Sequence, residues 1–228
     1  MSYVIEVPKT TALPVEGETA TFPVRRIYCV GRNYADHARE MGHDPDREPP
    51  FFFQKPTDAI VPNNQTIPFP VGTKDLHHEI ELVVAIGKRG RDIAAADAPG
   101  YIWGYAVGLD MTRRDLQGEA KKLGRPWEVG KAFDESAPIG PIHRSSGGAA
   151  WASGAISLEV NGATRQSSDI SKLIWNIGEI IEHLSALWAL AAGDLIYTGT
   201  PEGVAAVVKG DLMVGRIAQL GELRVEVI

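Results

Sequence analysis

Cysteine is all but missing from this chain. The lone thiol, Cys29, leaves no partner for an intramolecular disulfide, so nothing calls for an oxidising compartment. A surplus of positive charge is missing too. The 23 basic residues face 29 acidic ones, and the net charge of -6 gives no overall attraction to nucleic acid or an anionic membrane. An anionic ligand would have to be drawn in by a local basic cluster. Long apolar runs are interrupted: LIWNIGEIIEHLSALWALAA carries Glu179, Glu182 and His183, which a bilayer span rarely tolerates. The opening MSYVIEVPKT has no basic region leading into an apolar one, so no secretory signal is expected. These absences describe a cytoplasmic protein without membrane or nucleic-acid partners.

Nucleotide and hydrolase signatures are absent as well. No G-x-x-x-x-G-K-[ST], no strand-anchored G-x-G-x-x-G and no G-x-S-x-G occurs. No cysteine–histidine pattern offers a structural zinc site.

What is present is a chain of 228 residues, 44% hydrophobic, enough for one domain with a sizeable core. Residues 1–24 read as an extended lead-in and 25–228 as the domain. VRRIYCVGRNY is a short strand stopping at Gly31, followed by the helix former NYADHAREMG and a charged, turn-rich loop, HDPDREPP, expected to be mobile. FFFQKP and AIVP are short strands, EIELVVAIG and IWGYAVGLDMT longer ones. AISLEVNGATRQSSD has the pattern of a hairpin turning at Asn161-Gly162. Leu173, Ile177, Ile180, Ile181, Leu184, Trp188 and Ala191 share one helical face, closed by Gly193. Strands outnumber helices without regular alternation, so the class expected is β-rich α+β with a few covering helices.

Three carboxylates carry the first chemical signal. Side chains alternate along a strand, so Glu79 and Glu81 share a face, which Val83 and Ala85 continue, while His78, Ile80, Leu82 and Val84 line the other. Two acids at the rim of an apolar face repel and lose solvation, a cost that a hard divalent cation removes. Asp110 ends the next apolar strand and would add a third oxygen ligand. The plain alternatives stay open: solvated glutamates on an edge strand, and Asp110 as a helix N-cap.

His37 and Glu40 stand three apart on an expected helix, close enough for the glutamate to raise imidazole basicity and fix its tautomer. A surface ion pair would look the same. Lys55, Arg113, Arg114, Lys121, Lys122, Arg125 and Lys131 form the basic cluster that could receive a carboxylate-bearing substrate, or simply a solvated helix face. The turn YTGTPEGV, through Thr200 and its amides, could bind an anion.

Together, GRNYADH, FFFQKP, HHEIELVVAIGKRGRDI, GYAVGLDMTRRDLQ, GKAFDESAPIGP, LEVNGATRQ and GDLIYTGTPEGV resemble the fumarylacetoacetate hydrolase family, in the family's order over nearly the whole chain. The resemblance implies a β-rich roll of mixed sheets and a homodimer. It implies Mg2+ or Mn2+ held by Glu79, Glu81 and Asp110, and a water-activating dyad of His37 and Glu40 on a lid. Lys131 would act in catalysis, and Arg114, Gln117, Thr200 and Lys55 would bind substrate. The larger members carry a further N-terminal domain and a fourth acidic ligand; the length here leaves no room for that domain. The nearest branch is that of the short acylpyruvases. The activity implied is hydrolysis of the C–C bond of an acylpyruvate, a small anionic 2,4-dioxo acid such as fumarylpyruvate, in aromatic breakdown. Oxaloacetate decarboxylation, hydroxymuconate-type isomerisation and non-catalytic dicarboxylate binding remain as alternatives.

Overall fold

The computed structural model describes residues 3–35, 48–63 and 65–228. The expected helix beyond Ala35, with His37 and Glu40, and most of the loop after it lie outside the described residues. Among those described, the α-helices are Arg114–Lys122, Glu128–Lys131 and Ile177–Leu187. The rest is mainly strand, the α+β class that the alternating patterns predict.

The largest sheet orders Phe51–Lys55, Arg26–Gly31, Asp194–Tyr197, Ile80–Ile86, Ile102–Leu109, Ala137–Ile139 and Ile60–Pro62, with His143–Arg144 added beside Ile102–Leu109. It is mixed: Asp194–Tyr197 runs parallel to Arg26–Gly31, and Ala137–Ile139 to Ile60–Pro62. A second sheet orders Ala163–Asp169, Ala155–Val160, Leu212–Ile217, Gly221–Val227 and Gln65–Ile67. Its hairpin turns where expected, with Asn161 and Gly162 both at positive φ, 51° and 79°, the geometry whose twist matches two paired strands.

Ile80–Ile86 is buried on both faces, which is why it reads as a continuous apolar run. Ile80, Leu82, Val84 and Ile86 pack with Leu158, Met213 and Val225 of the second sheet and with Ile180 and Leu184 of the covering helix. Val83 and Ala85 face the other way, against Ile27, Cys29, Leu195 and the small Ala12–Pro14/Thr21–Pro23 ribbon, whose Leu13 and Phe22 fill that second core.

The covering helix is shorter than its apolar spacing predicts. Asn176 accepts from Glu179 N at 3.1 Å while the Glu179 carboxylate accepts from Asn176 N at 3.0 Å, a reciprocal cap that fixes the start after Leu173. Trp188 is already extended, so the helix ends well before Gly193.

Register places the acids. Ile80 pairs with Leu109 in antiparallel sense, so the start of one strand lies beside the end of the other. Asp110 N donates to Glu79 O at 2.9 Å. Glu79, Glu81 and Asp110 thereby meet at one rim.

Candidate active site

One carboxylate oxygen from each of Glu79, Glu81 and Asp110 lies within 4.8 Å of the other two, and all three residues are buried. Three cations surround them. Lys131 Nζ donates to Glu79 Oε2 at 2.8 Å, Asp110 Oδ2 at 2.7 Å and Thr112 Oγ1 at 2.7 Å, so all three of its hydrogens are engaged. Arg114 Nη2 donates to Glu79 Oε1, and Nη1 to Gln117 Oε1 at 2.8 Å. Lys55 Nζ lies 2.8 Å from Asp110 Oδ1 but directs its hydrogens to the carbonyls of Met111, at 3.1 Å, and Lys131. Asp110 Oδ1 is therefore buried without a directed hydrogen bond.

Glu81 is the exception among the acids: its Oε2 accepts from the Gly199 N–H at 2.7 Å. Gly199 sits at φ +101°, and a side chain there would collide with Asn33 Cβ at 2.7 Å, so only glycine brings that amide onto the carboxylate. Burial, then the Asp110 and Glu79 charges, push the Glu81 carboxyl well above its ordinary range. Burial alone would lower the Lys131 ammonium, but Asp110 and Glu79 more than reverse it and leave it raised.

These residues fit a hard divalent cation. The donor set is all oxygen, as Mg2+ and Mn2+ prefer, and among the described residues Asp110 Oδ1 accepts no hydrogen bond and Glu81 forms no ion pair. Glu79, Glu81 and Asp110 would hold the ion. Glu79, Glu81 and Asp110 with Lys55, Arg114 and Lys131 sum to zero when all are charged, so a bound divalent ion would leave that cluster at about +2. Arg32 and Lys121 on the cleft wall add to a positive field suited to an anionic ligand.

Glu81 supplies a test. Its raised carboxyl binds a proton more readily in the folded than in the unfolded chain, so the metal-free fold loses stability as pH rises through that titration. Mn2+ must displace the proton. Calorimetry should show protons released on Mn2+ binding and tighter binding at higher pH; identical heats in buffers of different ionisation enthalpy would remove Glu81 from the ligand set. Glu81→Gln should weaken Mn2+ affinity for the same reason.

The cleft above the acids is lined by Arg32, Arg114, Gln117, Lys121, Lys131 and Thr200, with Phe53 and Trp127 as its apolar wall. Gly130 lets the Glu128–Lys131 helix press on Gln117, since a Cβ there would come 2.7 Å from Gln117 Cβ. Lys55, expected to bind substrate, is instead fully buried behind Asp110 and does not line the cleft. Of the wider basic cluster, Arg113 lies over the Phe133 ring, 4.4 Å from its centroid, while Lys122 and Arg125 are exposed. Asp110 caps no helix; the Arg114–Lys122 helix starts at Arg113 without a side-chain cap.

Sequence reasoning missed Arg32, Thr112 and Gln166. Arg32 follows the Arg26–Gly31 strand at φ 59°, a strained turn, and its neighbour Asn33 donates to Thr198 O at 2.8 Å and accepts from Trp175 N at 2.8 Å. That clamp ties the Gly31–Asn33 turn to the one carrying Thr200. His78 is buried, lowered to about 4 by loss of solvation, and 3.0 Å from Gln166 Oε1.

The family model for the fumarylacetoacetate (FAA) hydrolase C-terminal region matches residues 26–228. The chain is 48% identical over 189 residues to a fumarylpyruvate hydrolase of Ralstonia sp, covering 82% of this chain and 98% of that one. It is 43% identical over 196 residues to the mitochondrial oxaloacetate tautomerase FAHD1 of Homo sapiens, covering 82% and 84%. The crystal structure of fumarylpyruvate hydrolase from Pseudomonas aeruginosa in complex with Mn2+ and pyruvate superposes with a TM-score of 0.97 at 54% identity, covering 100% of this chain and 99% of that one. Fold, acid triad and near-complete coverage agree: the chain belongs to the fumarylacetoacetate hydrolase family.

Proposed function

We propose that this chain is a metal-dependent hydrolase that cleaves fumarylpyruvate to fumarate and pyruvate, a late step of aromatic (gentisate) breakdown, acting in the cytoplasm as a homodimer whose catalytic domain is 25–228. The observation that carries this reading is the buried Glu79–Glu81–Asp110 triad on a scaffold 54% identical, over its full length, to a fumarylpyruvate hydrolase crystallised with Mn2+ and pyruvate. The absence of any helix long and apolar enough to cross a membrane, among the described residues, is compatible with it.

A divalent ion at the triad would act as a Lewis acid toward an oxo acid, offsetting the charge that develops on the enolate oxygen. The chain supplies the rest. His37, oriented by Glu40, takes a proton from water, and the hydroxide adds to the 4-keto carbon. The C3–C4 bond then breaks, its electron pair passing to the pyruvate fragment, which takes up the proton; the hydroxyl stays on the fumarate carboxyl. Gln117 and Thr200 hydrogen-bond the bound acid, Arg114 fixes Gln117, and the Lys131 charge holds Glu79 and Asp110 in place.

The distal carboxylate falls to Arg32 and Lys121. Burial, then Arg32 and Arg114, hold the Lys121 ammonium below its ordinary value, as expected where cations crowd one wall. No carboxylate among the described residues pairs with Arg32 or Lys121, so that wall is open to an anionic end group. Arg32→Gln with Lys121→Gln should raise KM for fumarylpyruvate about 10-fold or more, the worth of a charge-assisted contact, and leave acetylpyruvate nearly untouched. Equal losses on both substrates would place the distal group elsewhere.

The 43% relationship to an oxaloacetate tautomerase motivates the second reading, an enolisation without attacking water. Product analysis of fumarylpyruvate, acetylpyruvate and oxaloacetate with Mg2+ or Mn2+, with and without chelator, separates the two. Intact fumarylpyruvate alongside rapid oxaloacetate turnover would overturn the hydrolase assignment.

A further inference from the structure

Gln166 lies on the Ala163–Asp169 strand of the second sheet, completely buried, and does not line the cleft. Its amide is gripped by groups whose hydrogen-bonding sense is fixed. Oε1 accepts the backbone N–H of Ile80 at 3.1 Å, and Nε2 donates to the carbonyl of Pro201 at 2.8 Å. A backbone N–H only donates and a carbonyl only accepts, so the amide has one orientation. The remaining Nε2 hydrogen points to Thr200 Oγ1 at 2.8 Å. By the same reasoning His78 Nδ1, 3.0 Å from Oε1, carries the ring hydrogen.

The Thr200 hydroxyl is thus an acceptor toward Gln166. Its own proton has no acceptor among the described residues, and Thr200 lines the cleft. The residue follows Gly199, whose N–H rests on Glu81, so it stands at the acid-rich end. Without Gln166 nothing among the described residues would fix this hydroxyl, and it would be free to present a lone pair to an incoming anion.

We propose that Gln166 is a positioning residue: it engages a lone pair of Thr200 and thereby aims the hydroxyl proton into the cleft, onto a carboxylate oxygen of the pyruvate moiety. The proposal rests on the oxo-acid reading above but is tested without turnover. In the Mn2+-loaded protein, calorimetry with pyruvate should show Thr200→Val weakened about 10-fold and Gln166→Met weakened several-fold, as for a hydrogen bond to a charged group. Thr200→Ser should keep most of the affinity. Gln166→Met should add almost nothing in the Thr200→Val background, because its effect runs through that hydroxyl. An equal Gln166→Met loss in both backgrounds would reduce Gln166 to a structural role and overturn the proposal.

Should Gln166→Met fail to fold, neutron diffraction of the deuterium-exchanged wild-type holoprotein with pyruvate decides the matter. Two deuterons on the Gln166 nitrogen and the Thr200 deuteron directed at pyruvate support it; the Thr200 deuteron directed at Gln166 ends it. A wild-type enzyme inert toward every acylpyruvate would strike the functional reading alone, since neither readout depends on catalysis.

Discussion

Lys131→Met is expected to bind Mn2+ more tightly than the wild type while melting earlier without metal and losing turnover by about 10²–10³-fold, the usual consequence of removing one fixed electrostatic group. The opposite signs follow from the geometry. The buried ammonium and a divalent ion draw on the same carboxylates, for Lys131 Nζ stands 2.8 Å from Glu79 and 2.7 Å from Asp110. Taking it away removes a positive competitor. In the metal-free protein it also takes one cation from each of two buried acids, leaving Glu79 to Arg114 and Asp110 to Lys55. Breaking a buried pair in this way costs up to about 3–5 kcal/mol, on the order of 10 °C in Tm for a chain of this length. Scanning calorimetry of the metal-free variant beside a Mn2+ titration checks both halves. If Mn2+ affinity falls together with Tm, the lysine builds the ion site instead of competing for it.

The acids were legible because they break a pattern. Strand alternation put Glu79 and Glu81 on one face, and Asp110 stood where an apolar run stops; both survive in the structure. What the alternation does not contain is register, and only the pairing of Ile80 with Leu109 turns three separate acids into a cluster. Lys55 shows the corresponding limit. Parity along FFFQK puts Lys55 on the same face as Phe53, which does line the cleft, but says nothing of depth, and Lys55 lies buried behind Asp110. Arg32 was hidden in a backbone conformation, φ 59°, that no composition or periodicity announces for an arginine. Gln166 was hidden by distance: it is 86 residues from the Ile80 amide and 34 from the Thr200 hydroxyl that give it meaning. The covering helix erred in a third way, since apolar spacing continues past both ends and only the Asn176–Glu179 cap marks where helix geometry begins.

His37→Ala is expected to lower kcat by about 10²–10⁴-fold, the range for loss of a general base, with Mn2+ and pyruvate affinity retained. No group among the described residues is placed to act as the base. None of those lining the cleft is a histidine. Of the two nearby, His77 has Nε2 2.9 Å from Asp75 Oδ1 and accepts from Arg114 Nε at 3.4 Å on Nδ1, while His78 is buried against Gln166. Glu79 and Asp110 are ion-paired, and Glu81 accepts from the Gly199 N–H on Oε2 and faces the ion position. None of these can take a proton from water without dismantling the ion site. We propose that the pair His37 and Glu40, outside the described residues, supplies the base. Glu40→Gln adds a sign to the test: a neighbouring carboxylate raises an imidazole's pKa, so its loss should move the acid limb of kcat/KM to lower pH. Added imidazole should partly restore His37→Ala, because a free base can take over the proton transfer of a missing general base. Undiminished hydrolysis by His37→Ala would force the proton onto one of the triad carboxylates, and the ion site would then need a different set of ligands.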